Sequence, residues 1–134
     1  MNVSYEARSG YLYVKATGEF SLSSAQDSLI EWVKKAHIHA LNRILCDLTL
    51  ITGFDDDQAS TMTLFKLGEF AAESIPGKFR LAVLETPQQF GGGRFCENVM
   101  VNRGAAVKVT INLNEALEWL DVTRLPESEE VDIK

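Results

Sequence analysis

A chain of 134 residues has the size of a single domain and can bury about two-thirds of its unfolded surface, so disulfide or metal support is not needed. Its 46% hydrophobic and 24% charged residues are those of an ordinary globular protein, and no apolar run approaches the ~20 residues that span a bilayer. A net charge of −6, with a pI of about 4.9, argues against the basic footprint of a nucleic-acid binder.

Residues 1–10 have no apolar stretch behind a basic start, so a cytoplasmic location is expected. Residues 3–8 and 11–17 are rich in β-branched and aromatic side chains around Ser9-Gly10, which predicts a hairpin. A first helix is expected from Ser23, with Gln26 completing a capping box and Leu22, Ala25, Leu29, Val33 and Ala36 forming its apolar stripe. His37 and His39 close that helix; two residues apart, they diverge too far to share a metal, and they suit a helix carboxyl terminus.

Ile44, Leu45 and Cys46 have no helical spacing, which predicts a strand over 44–48 buried on both faces and central to the sheet. Asp47 is expected at that strand's carboxyl end. Gly53 then bends the chain, and Asp55, Asp56 and Asp57 precede a second helix over 56–73 with Met62, Leu64, Phe65, Leu67 and Ala71 inward. Ile75-Pro76-Gly77 stops that helix. A strand over 79–84, a flexible loop holding Gly91, Gly92 and Gly93, and a third helix over 94–103 ended by Gly104 follow. The last elements are a strand over 106–110 and a helix capped by Asn112 and Glu115, with Leu113, Ala116 or Leu117, and Leu120 facing inward. Residues 1–124 form the expected domain. Residues 125–134 carry Glu127, Glu129, Glu130 and Asp132 against Lys134, too little apolar surface to repay ordering, and a mobile tail is expected. The fold class is α/β: a five-stranded, mainly parallel sheet in the order β-β-α-β-α-β-α-β-α, with an antiparallel first strand and helices mostly on one face.

The carboxyl ends of strands and the adjoining helix N-termini are the usual ligand-binding places in open α/β sheets. That selects Asp47, Thr52 and the aspartate run. One reading of the run is capping, with Asp55 at the N-cap and Gln58 three residues on, a contribution of ~1 kcal/mol. One aspartate suffices for a cap and three repel each other, so the second reading is a partner-binding surface. Gly91-Gly92-Gly93-Arg94 lacks the Lys-Ser/Thr of a phosphate loop. Cys46 and Cys96 have no C-x-x-C spacing and read as small buried hydrophobes. No catalytic Ser-His-Asp or Cys-His set can be assembled, no cofactor motif stands out, and the chain does not read as an enzyme.

The element order, Asp47-Leu48-Thr49 and the acidic loop before the second helix resemble the STAS domain, the fold of bacterial anti-sigma-factor antagonists. Arg94-Phe95-Cys96-Glu97-Asn98-Val99 with Asn102-Arg103-Gly104 resembles the SpoIIAA-like branch of that superfamily, which is related to the CRAL-TRIO lipid-binding lobe. The resemblance spans about residues 3–121. In phosphorylatable antagonists an Asp-Ser-(Ser/Ala)-Gly motif enters the second helix; its aspartate falls on Asp55, its serine on Asp56 and its glycine on Gln58. The phosphoacceptor hydroxyl is missing, so no phosphorylation switch is expected there. The resemblance implies a regulatory module that docks a protein, with Asp47, Thr52, Asp55, Asp56, Asp57, Arg94, Asn98 and Asn102 as candidate contacts. The partner is left open, a homodimer included. The alternative is a binder of an apolar small molecule or lipid between sheet and helices.

Overall fold

In a computed structural model, residues 1–54 and 60–122 are described. The aspartate run, Gln58 and the acidic tail lie outside the described residues. The chain order is β1 (Asn2–Arg8), β2 (Tyr11–Glu19), α1 (Leu22–Ile38), β3 (Arg43–Thr52), α2 (Thr61–Ser74), β4 (Arg80–Leu84), α3 (Phe90–Asn102), β5 (Ala106–Thr110) and α4 (Leu113–Leu120). The sheet runs β1-β2-β3-β4-β5, antiparallel at β1–β2 and parallel elsewhere, with β3 in the centre.

Because spatial order follows chain order, crossovers of one hand place α1, α2 and α3 on the same face. Leu12 and Val14 of β2, Ile44 and Cys46 of β3, Leu81 and Val83 of β4, and Val107 and Val109 of β5 point to that face and meet Leu29, Trp32, Ala71 and Met100. Their neighbours one residue along, Tyr11, Leu45 and Ala82, point the other way and meet Ala116, Leu117 and Leu120 of α4. The two-sided burial of Ile44 and Leu45 follows from this arrangement. Arg43 Nε donates to Leu120 O at 2.5 Å, and an Arg80 guanidinium N–H donates to Trp119 O while that guanidinium lies 4.3 Å from the Trp119 ring. These cations satisfy the last carbonyls of α4 and hold its carboxyl end on the sheet.

Several expected boundaries move. Ser21 caps α1, accepting from Ser24 N at 3.2 Å, so the helix starts before the expected Ser23. Ser60 caps α2, accepting from Thr63 N at 3.1 Å, and the helix begins at Thr61 rather than at the aspartates; its cap is therefore not Asp55. The buried stripe of α2 is Leu64, Gly68 and Ala71, and Met62, roughly 200° around the helix from Leu64, is exposed rather than inward. Leu113 also stands exposed, since Ala116, Leu117 and Leu120 carry the contact of α4. No helix among the described residues is long and apolar enough to cross a membrane.

Candidate functional site

Asp47 does not end its strand. β2 and β3 pair Lys15 with Asp47 and then Thr17 with Leu50, so Leu48 and Thr49 together oppose Ala16 in a β-bulge. The Asp47 carboxylate fixes the bulge: Oδ1 accepts from Thr49 N at 2.9 Å and from Thr49 Oγ1 at 2.6 Å, and Oδ2 accepts from Tyr13 O–H at 3.0 Å. A charged group is tolerated within the strand because three donors satisfy it. Burial, then the Asp47 charge, pushes the Tyr13 phenol upward, so it stays a donor at neutral pH. This cluster faces α4, in a depression shared with Arg8, whose guanidinium stacks 4.2 Å from the Tyr13 ring.

Beyond the bulge β3 outruns its neighbour, since β4 pairs only with Arg43 to Asp47. Gln89 replaces the missing strand. Its side chain is 4% exposed; Nε2 donates to Leu48 O at 2.9 Å and Ile51 O at 3.0 Å, and Oε1 accepts from Thr86 N at 2.8 Å. On the other side Phe20 N donates to Thr52 O at 2.7 Å and Thr52 Oγ1 to Gly18 O at 3.3 Å, with Phe20 and Phe54 rings 4.9 Å apart. The result is a braced, open cleft at the carboxyl end of the sheet, lined by Glu19, Thr49, Thr52, Gly53, Thr86 and Gln88. Strand order never reverses, so the sheet has no switch-point crevice, and this end is a surface rather than a deep pocket.

The third feature lies between the sheet and α1, α2 and α3 and is partly open to solvent. It is a cavity of about 80 Å³, lined chiefly by apolar side chains and reached by Trp32 and Glu85. Glu85 follows β4 directly and is 3% exposed. Burial and then the charge of Glu97 raise its carboxyl from 4.5 to about 8, so it is protonated at neutral pH. The three glycines are not in a loop; they form the first turn of α3. At Gly93 a Cβ would stand 2.6 Å from Glu85 Cδ, so glycine, at a cost of ~1 kcal/mol in helix propensity, makes room for the carboxyl.

The described members of the expected set therefore do not come together in one place. Asp47 points to the α4 face, Thr52 lies on the carboxyl-end cleft, and Arg94, Asn98 and Asn102 make an exposed stripe on α3, on the sheet's other side. Arg94 pairs with Glu97 at 3.5 Å. Asp55, Asp56 and Asp57 adjoin the cleft in sequence but lie outside the described residues. Gln89, Glu85 and Trp32 were not selected from the sequence. The available signal was Glu85 closing an apolar strand just before a helix with paired glycines. Cys46 and Cys96 are free and buried; burial raises Cys96 to about 12 and Cys46 well above its ordinary value, which suits inert packing rather than nucleophilic chemistry. Among the described residues no three His, Cys, Asp or Glu stand together as a metal site.

No family model and no curated protein matches the chain. Among solved structures it is similar to an anti-sigma factor antagonist from Mycobacterium paratuberculosis, at 14% identity and a TM-score of 0.57 over 90% of this chain and 93% of that one. The anti-sigma factor antagonist SpoIIAA in its unphosphorylated form aligns over 90% of this chain and 98% of its own, at 14% identity and a TM-score of 0.44. The first of these likenesses identifies the fold as STAS-like.

Proposed function

We propose that the protein is a non-enzymatic regulatory module that docks another protein through the carboxyl-end surface of its sheet. The observation that carries this reading is the braced end of β3. A strand that outruns its neighbour and is held by Gln89 offers an exposed, pre-formed surface with the aspartate run following it in the chain. Pre-organisation of this kind lowers the ordering cost of association. The fold shared with an anti-sigma factor antagonist supports the same reading. Asp56 stands where phosphorylatable antagonists carry serine, so docking is not switched by phosphate there; a fixed charge of −1 falls short of a phosphate's ~−1.5 to −2. The partner is a protein, with a second copy of this chain among the possibilities, and the compartment is the cytoplasm.

The test is to replace Asp55, Asp56 and Asp57 together by Asn. Ser60 supplies the α2 cap, so the melting temperature is expected to stay within the range of a surface change, about 0.5 kcal/mol in stability. Partner recovery from an extract of the source organism, quantified against the parent protein, is expected to fall about tenfold at low salt, where exposed charges are least screened. Unchanged recovery with an unchanged fold excludes the aspartates from the docking surface.

A further inference from the structure

Two buried polar atoms without a hydrogen-bond partner among the described residues, Glu85 Oε1 and Trp32 Nε1, belong to side chains that line the same cavity. The residues are 3% and 7% exposed. Interiors leave few such groups stranded, because each costs about 1–3 kcal/mol, and two on one cavity call for an occupant that satisfies both. The remaining wall is largely hydrocarbon, including Leu29, Leu67, Val83 and Val109. Gly93 keeps the Glu85 carboxyl in place where any larger residue would displace it.

We propose that this cavity is a binding site for a slim, uncharged apolar molecule ending in a single hydroxyl or carbonyl group, held by Trp32 and Glu85. Indole N–H can only donate, so the head must carry an acceptor, which excludes an ammonium. A protonated Glu85 supplies both a donor and an acceptor to the same head. Among the described residues the charged side chains lining the cavity are Glu85 and Glu97, with no Lys, Arg or His side chain, so an anionic head meets no cationic side chain there to offset its burial. A space of about 80 Å³ that is partly open to solvent suits a slim chain better than a bulky ring system. This site lies between the sheet and α1, α2 and α3 and shares Ile51 and Phe54 with the carboxyl-end cleft, while Trp32 and Glu85 line the cavity alone.

The test follows the indole N–H resonances of the ¹⁵N-labelled full chain during titration with 1-hexanol, hexanoate and hexylamine. The peaks of Trp32 and Trp119 are assigned with Trp119→Phe. The Trp32 resonance is expected to shift saturably with 1-hexanol, and hexanoate and hexylamine to bind at least about tenfold more weakly. Glu85→Leu is expected to weaken 1-hexanol about tenfold, while Glu85→Gln, which keeps a donor and an acceptor, stays within about threefold of the parent. Trp32→Phe, read by calorimetry, provides the same loss from the other group. The proposal is overturned if no alcohol shifts the Trp32 resonance saturably, if hexanoate or hexylamine binds as tightly as 1-hexanol, or if both Glu85→Leu and Trp32→Phe bind it like the parent.

Discussion

The Glu85→Gln variant is expected to hold its stability from about pH 5 to pH 8, where the parent loses several kcal/mol. Folding raises the Glu85 carboxyl from 4.5 to about 8, chiefly by burial and secondarily through Glu97. Between those values the native state holds a proton that the unfolded chain has released, so the stability of the parent falls as pH rises through this window. Below the window both states are protonated and the term vanishes. At about 1.4 kcal/mol per pH unit the full difference is of order 4–5 kcal/mol, reduced where water reaches the ionised group. Glutamine copies the shape of the protonated acid and does not titrate. The buried thiols Cys46 and Cys96 also sit above their ordinary value of 9.0, so they add a loss of the same sign in both proteins only at higher pH. Urea unfolding at four pH values measures the difference directly. Parallel curves for parent and variant between pH 5 and 8 contradict the placement of Glu85 in a dry site.

Replacing Gln89 by Leu is expected to cost about 3 kcal/mol and to loosen the end of β3. Leucine matches the apolar bulk but removes three hydrogen bonds at once, leaving Leu48 O, Ile51 O and Thr86 N without their partner. Each stranded group costs about 1–3 kcal/mol where water cannot replace the bond, and less where the open cleft admits it. The damage should be local. Amide exchange is expected to accelerate over residues 48–54, while β3 from Arg43 to Asp47, paired on both sides, keeps its protection. Partner recovery should weaken as well if the proposed docking surface is correct, because that surface loses its brace. A change below about 0.5 kcal/mol, with exchange unaltered, means that Gln89 does not hold this segment.

The sheet was legible because its signal is local. Ile44 to Cys46, residues 79–84 and residues 106–110 are apolar runs too short for helices, and single helices between them force parallel pairing. Helix starts were less legible, since several side chains near each boundary can cap and packing decides among them. Ser21 and Ser60 were chosen over Ser23 and Asp55, and Gly91 to Gly93 form the first turn of α3, where the missing side chain of Gly93 leaves room for Glu85. Asp47 looked like a strand end because a charge inside a central strand is costly. Its three donors come partly from Tyr13, 34 residues away, and no local pattern announces them. The same distance hid Gln89 and Glu85. Their burial arises only when the β4–α3 connection folds over the end of β3 and α3 closes on the sheet.

Docking through the carboxyl end of the sheet is tested most directly by site-specific photocrosslinking in the source organism. A photoreactive amino acid is placed at Thr52, exposed on the cleft, or at His39, exposed at the end of α1 that leads into the amino end of β3. The protein should crosslink at Thr52 to one defined partner, a second copy of the chain or another protein, and the same adduct should be missing at His39. The Asp55, Asp56 and Asp57 to Asn variant should diminish the Thr52 adduct. Adducts of equal yield at both positions, or an adduct at His39 with none at Thr52, contradict the assignment of this surface.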